Sequence, residues 1–158
     1  RDRLEKMRGQ QLLEIVRSLD SQMNNTSVIL LFEVFGKKLL FPGDAQLENW
    51  SYALEDAPDA AEVRDLLADV DVYKVGHHGS LNATPRTLLW ERFKKRKGRQ
   101  LQTLLSTLPG KHGHTASNTE VPRRTLLERL ETESHLLNTN DLSFGATPEL
   151  CNLLTLTP

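Results

Sequence analysis

Asp44 and the adjacent pair His77 and His78 are the candidate metal-ligating side chains of this chain. Each follows an apolar stretch: "KKLLFPGDA" leads to the aspartate and "DVYKVGHHGS" leads to the histidines. A carboxylate and imidazoles that converge on one point are suitable ligands for a divalent metal such as zinc or manganese. A Gly-Asp pair alone is ordinary turn chemistry, and a histidine pair alone is a weak signal, so the prediction depends on both motifs together.

A sheet would bring the two motifs to one edge. Residues 27–41 are typical of a β-hairpin with its turn at Gly36-Lys37, and both strands are so apolar that we expect a sheet covered on both faces. Residues 59–68 predict a helix, and residues 71–75 predict the next strand. Ligands in an open α/β sheet sit at the carboxyl ends of the strands, which is where Asp44 and the histidines fall.

The remaining segments continue the alternation of strands and helices, which indicates an α/β fold class. Helices are predicted over residues 1–19, 46–57, 85–97 and 120–132; strands over 101–108, 135–138 and 150–156; and a polar loop over 109–119.

Length and composition favour one ordinary globular domain spanning residues 1–158, because 38% of the residues are hydrophobic, 26% are charged and the net charge is -1. The single cysteine excludes an internal disulfide framework. The longest apolar run, Val28 to Phe35, contains Glu33 and is too short to cross a bilayer. We therefore expect no membrane segment and a cytoplasmic location.

The two motifs, with the helix expected between them, resemble the C-terminal half of the metallo-β-lactamase superfamily. The resemblance is to the soluble hydrolase domain at the end of bacterial DNA-uptake channel proteins and to its stand-alone relatives. It rests on "NNTSVILLFEVFGKKLLFPGDAQ" and "DVYKVGHHGS", and continues loosely through "HTASNTEVPRRTLLERL". It implies an α/β fold that is the C-terminal half of an αββα sandwich, with the N-terminal half absent from residues 1–158.

The resemblance also implies site residues. Asp44 corresponds to the aspartate that bridges two metal ions, and either His77 or His78 corresponds to a ligand of the second ion. His77 is preferred because it comes first after the strand, and its neighbour would then contact a ligand or the substrate. Ser80 and His114 are the candidate substrate contacts, although a structural role in a turn is the simpler interpretation of Ser80. Zinc is the expected cofactor, with manganese as the alternative.

The chain departs from the family at the first metal site. The His-x-His-x-Asp-His motif of the N-terminal half has no counterpart, since His112-Gly113-His114 is followed by Thr115-Ala116-Ser117 and comes after the histidine pair. The N-terminal half of the fold, or a partner chain, would have to supply the missing ligands.

The resemblance therefore implies a metal-dependent hydrolase of phosphodiester or related ester bonds, with an incomplete metal site in this chain. In a complete site, a pair of ions generates a hydroxide that attacks a phosphorus or carbonyl centre, with Asp44 and His77 as the residues closest to the chemistry. The substrate would be a small-molecule or nucleic-acid phosphodiester. The alternative is a non-catalytic binding or interaction module derived from the same fold. In either case we expect an exposed apolar face where the other half would dock.

Overall fold

The computed structural model describes residues 11–15, 26–95, 100–108, 110–111, 120–142 and 156. Within them the chain is a mixed α/β structure built on one five-stranded sheet, which agrees with the fold class predicted from the sequence. The strands lie side by side in chain order: β1 (Leu30–Val34), β2 (Lys37–Phe41), β3 (Val72–Lys74), β4 (Gln102–Leu105) and β5 (His135–Asn138).

The first two strands form the predicted antiparallel hairpin, in which Leu31 pairs with Leu40. Its turn residues Phe35 and Gly36 both have positive φ angles, of 50° and 71°. A type I′ hairpin loop has left-handed backbone at both positions, which a glycine adopts easily and a phenylalanine only under constraint. The turn therefore lies one residue earlier than the sequence analysis placed it.

From β2 onward all neighbouring strands are parallel, so their carboxyl ends lie at the same edge of the sheet. Such connections require crossovers, and most of them are helical. The crossovers consist of the Leu47–Ser51 helix, a π-helical turn over Tyr52–Asp56 and the Ala60–Ala68 helix before β3; short 3₁₀ turns over His77–Gly79, Leu81–Ala83 and Trp90–Arg92 before β4; and the Arg124–Glu133 helix before β5.

The core lies on one face of the sheet. The strand register aligns Leu40, Tyr73 and Thr103 side by side across β2, β3 and β4, and all three are fully buried. Burial raises the pKa of Tyr73 to about 12, and its hydroxyl lies 2.8 Å from Oγ1 of Thr84. Trp50 is also fully buried, and its indole N–H donates a hydrogen bond of 3.0 Å to a carbonyl oxygen in the β3–β4 connection.

The other face of β1 is apolar and about half exposed. Leu30, Phe32 and Val34 alternate along the strand and are 46%, 48% and 49% exposed. Phe35, at the hairpin turn, is 97% exposed. The expectation that both hairpin strands are covered on both faces is therefore wrong for β1. An exposed apolar face is present, as expected, and docking of another half of the fold on it stays a prediction.

The helix predicted over residues 85–97 is wrong for the residues that the structure describes. Only a 3₁₀ turn forms there, over Trp90–Arg92, and Phe93 after it is extended. The amide of Lys94 donates a 2.8 Å hydrogen bond to the carbonyl oxygen of Ala68, at the end of the preceding helix. This long-range bond holds the chain in an extended path that a continuing helix could not follow.

The other predicted elements before β5 are confirmed with shifts of a few residues at their ends. Of the predicted N-terminal helix, residues 11–15 are helical, and the rest lies outside the described residues. Most of the predicted loop over 109–119 and of the strand over 150–156 lies outside them as well. Within the described ranges, no helix is long and apolar enough to cross a membrane.

Asp71 joins the starting ends of three parallel strands. Its N–H donates to the carbonyl oxygen of Lys38 at 2.9 Å, and its carboxylate accepts the N–H of Lys38, also at 2.9 Å. Its own carbonyl oxygen accepts the N–H of Gln102 at 3.0 Å. The carboxylate is almost fully buried, with the ammonium of Lys37 at 3.9 Å. One residue thus sets the register of β2, β3 and β4 together.

We expect Asp71→Ala to lower the free energy of unfolding by about 2–3 kcal/mol, because it leaves a half-buried backbone N–H without its charged acceptor. Urea denaturation measures the change. The matched control is Asp69→Ala, which removes a solvent-accessible ion pair of 3.2 Å with Lys94 and should cost less than about 1 kcal/mol. Equal losses for the two variants would contradict the role of Asp71 in strand registration.

Candidate functional site

Asp44 lies in a tight turn directly after β2. The amide of Ala45 donates to the carbonyl oxygen of Pro42 at 3.1 Å, and Gly43 has a φ of 58°. A left-handed residue at this point of a turn favours glycine. Ala45 is fully buried and anchors the turn, whereas Asp44 is exposed. The sequence "PGDA" therefore presents a carboxylate to solvent at the carboxyl edge of the sheet.

The two histidines occupy a strained turn directly after β3. Their φ angles are 42° for His77 and 53° for His78, and among the described residues the only other non-glycine with positive φ is Phe35 in the hairpin. Left-handed backbone at a non-glycine residue costs on the order of 1 kcal/mol or more and persists where surrounding contacts enforce it. The turn is held by hydrogen bonds of 2.9 Å from Gly79 N to Gly76 O and from Ser80 N to His77 O.

The aspartate turn and the histidine turn are in direct contact. The amide of His77 donates a 3.1 Å hydrogen bond to the carbonyl oxygen of Gly43. Gly76 makes the approach possible, because a Cβ there would lie 3.1 Å from that same oxygen and 3.2 Å from Cγ of Pro42. The structure therefore brings together the two motifs that the sequence analysis paired, through backbone atoms of neighbouring residues.

The two imidazole rings point to different neighbours. Nδ1 of His77 lies 3.4 Å from the side-chain Nε2 of Gln46, on the β2 side of the site. Nδ1 of His78 lies 3.0 Å from the carbonyl oxygen of Ser106, just after β4. The ring centroids are 6.4 Å apart. The pair thus spans the carboxyl ends of three neighbouring strands.

The contact of His78 indicates the tautomer of its neutral ring. A carbonyl oxygen only accepts, so Nδ1 of His78 carries the proton and its Nε2 carries the lone pair. The longer contact of His77 is compatible with either tautomer, because a flip of the Gln46 amide presents its nitrogen or its oxygen to the ring. A metal ligand whose other ring nitrogen donates to a carbonyl is the usual arrangement in proteins. The hydrogen bonds therefore favour His78 as a ligand, whereas chain order alone favoured His77.

Lys74 is a site residue that the sequence analysis missed. It is the last residue of β3, and its ammonium donates to the carbonyl oxygen of Val75 at 3.0 Å. Burial lowers the pKa of Lys74, and the nearby Asp44 carboxylate raises it in part. The signal in the sequence is a lysine inside the otherwise apolar strand "DVYKV", next to the histidine pair. A cation therefore lies within electrostatic reach of the proposed metal-binding carboxylate.

The two candidate substrate contacts are placed differently. Ser80 is half-buried and precedes the 3₁₀ turn over Leu81–Ala83, where its carbonyl oxygen accepts the amide of Ala83 at 3.2 Å. Its backbone thus has the structural role in a turn. His114 lies outside the described residues, as does His112.

The described side chains do not form a complete metal site. Among the described residues, no group of three or more histidine, cysteine, aspartate or glutamate side chains is arranged to hold a metal ion. A catalytic zinc usually takes three protein ligands, so the described part of the chain does not by itself fit a closed zinc site. Asp44 with one histidine makes at most a partial donor set.

No family model matches the chain, and no curated protein or solved structure is significantly similar to it.

We expect Gly76→Ala to weaken the contact between the two turns, because the new methyl group would press against Gly43 and Pro42. The free energy of unfolding should fall by about 1–3 kcal/mol, as for overpacking elsewhere. The signals of residues 43–45 should shift in amide NMR spectra. Gly110→Ala is the control, because its Cβ would meet nothing within 4 Å and only its φ of 70° would be strained. Unchanged signals at residues 43–45 would contradict the contact.

The lowered pKa of Lys74 predicts that stability depends on pH. Between the folded pKa and the ordinary value of 10.5, the unfolded state binds more protons, so the free energy of unfolding should rise with pH across that window. Lys74→Met should reduce this rise in urea denaturation series. Lys94→Met is the control: it replaces a different, exposed lysine, so the free energy of unfolding should still rise with pH because Lys74 is intact. An identical slope in Lys74→Met would contradict the burial of the ammonium.

Proposed function

We propose that this chain is one part of a metal-dependent hydrolase of the metallo-β-lactamase superfamily, acting on phosphodiester or related ester bonds. The observation that supports this proposal is the 3.1 Å hydrogen bond from the His77 amide to the Gly43 carbonyl oxygen. It puts a carboxylate turn and an imidazole turn against each other at the carboxyl edge of a parallel sheet, where α/β enzymes place their ligands.

In this proposal Asp44 and one imidazole, with His78 favoured by its hydrogen bond to Ser106, supply part of a donor set for zinc or manganese. The remaining donors come from outside the described residues, either from the N-terminal half of the fold or from a partner chain. Lys74 balances the charge of Asp44 until a cation binds, so it competes with the metal.

A second candidate function is a non-catalytic interaction module with the same half-fold. Two observations favour it: the described residues hold no group of three or more metal-ligating side chains, and β1 presents an exposed apolar face. Contiguous exposed apolar surface is typical of protein contact sites. A metal titration separates the two candidates.

The test is isothermal titration of the purified chain with zinc and with manganese. For the hydrolase, we expect saturable binding that Asp44→Asn weakens by at least about tenfold, since even groups that only orient a ligand contribute that much. His78→Gln should weaken it more than His77→Gln. Lys74→Met should strengthen it, because a competing cation is removed. Asp69→Asn is the control that should leave binding unchanged, because Asp69 precedes the start of β3, at the end opposite the histidines, and pairs with Lys94.

A folded chain without saturable metal binding would instead support the interaction module. Hydrolysis of a generic phosphodiester by the chain alone should be very slow even if metal binds, because part of the donor set is missing. Fast turnover by the isolated chain would contradict the incomplete site.

A further inference from the structure

A cavity of about 450 Å³ opens next to the histidine turn. Its walls come from residues 81–90, from the start of the Leu47–Ser51 helix and from the first turns of the Arg124–Glu133 helix. Leu47 directly follows Gln46, whose amide contacts His77, and Leu81 directly follows Ser80. The cavity is therefore lined by residues that closely follow both turns of the candidate site in the chain. Its volume is in the range that small organic ligands occupy.

One part of the wall is apolar. Leu47 and Leu81 line the cavity and are 46% and 55% exposed, so their side chains can contact a ligand. Trp90 also lines the cavity but is only 1% exposed, and its indole N–H donates to Glu133 at 2.8 Å. The indole is therefore a fixed part of the base, and the two leucines supply the accessible apolar surface.

Another part of the wall is cationic. Arg86 and Arg129 both line the cavity, and no acidic side chain is among the described residues that do so. Glu91 orients both guanidinium groups from outside the lining, with its Oε1 2.6 Å from Nε of Arg86 and 3.9 Å from Nη1 of Arg129. Nη1 of Arg129 also lies 3.5 Å from Oε1 of Glu133. Each guanidinium has five N–H donors, so these carboxylate contacts leave donors for an anion. Arginine forks suit phosphate oxygens because they can bind them bidentately.

We propose that this cavity binds an organic phosphate monoester with an apolar body. The body packs against Leu47 and Leu81, and the phosphate takes hydrogen bonds from Arg86 and Arg129. Thr125, which is exposed, also lines the cavity. This binding needs no metal ion, so it is independent of the proposed hydrolase site beside it.

The test is isothermal titration of the full chain with phenyl phosphate in buffer containing EDTA. Inorganic phosphate and phenol are the two half-probes, one without the body and one without the charge. We expect phenyl phosphate to bind at least about tenfold more tightly than either half-probe, because both parts of the wall are engaged only by the whole molecule. Equal binding of inorganic phosphate would reveal a general anion surface and overturn the proposal, as would the absence of saturable binding.

Two variants and a matched control locate the binding. The double variant Arg86→Gln with Arg129→Gln should weaken phenyl phosphate binding by about tenfold or more, since two charged donors are lost. Arg124→Gln is the control: it lies on the same helix, pairs with Glu128 at 2.8 Å and does not line the cavity, so binding should be unchanged. An equal loss in the control would overturn the proposal.

Thr125→Phe carries the test if the double variant does not fold. It changes an exposed position at the first turn of the helix and fills the cavity, so it should abolish binding of phenyl phosphate while circular dichroism stays native. Retained binding in this variant would place the ligand elsewhere and overturn the proposal. Because EDTA removes metal in all these titrations, the absence of phenyl phosphate binding would not bear on metal binding, and the two proposals can fail independently.

Discussion

The core and the candidate site both follow from the parallel register of β2, β3 and β4. Asp71 fixes it at the starting ends of the strands through hydrogen bonds to Lys38 and Gln102. At the carboxyl ends, the amide of His77 bonds to Gly43. A slip of one residue would turn every side chain of a strand to the opposite face. The hydrogen bonds at the two ends of the strands therefore also determine that Tyr73 enters the core while Lys74 faces away from it.

The candidate site combines backbone strain with a charge that is half-buried. Two consecutive histidines hold left-handed backbone, and a half-buried ammonium lies near an exposed carboxylate. Neither feature stabilises the fold: the first is an unfavourable conformation, and burial disfavours the second. Such features persist where neighbouring contacts enforce them, and they concentrate at functional positions. The adjacent cavity adds an apolar wall and two arginines, so the edge of the sheet offers recognition chemistry that does not depend on a metal.

Predictions from the local sequence pattern were most accurate for elements whose structure depends mainly on residues close to each other in the chain. The hairpin, the Ala60–Ala68 helix and the strand before the histidines follow from hydrophobic period and turn residues, and the structure confirms them. The helix predicted from Pro85 was wrong, because a hydrogen bond from Lys94 to Ala68 imposes an extended path that no local signal reveals. The prediction that β1 is buried on both faces was also wrong for the described residues. Apolar side chains favour burial, but the sequence of the strand does not show whether another part of the protein covers them.

Residue patterns alone were enough to predict the α/β class, the pairing of an aspartate motif with a histidine motif, and their place after strands, because short-range propensity and strand order suffice for these. Folding adds three facts: the two motifs touch, Lys74 is near Asp44, and the two imidazoles have different hydrogen-bond partners. Tautomer and charge balance depend on atoms brought together from distant parts of the chain. Packing and strand register fix the positions of these atoms, and neither can be deduced from the order of residues alone.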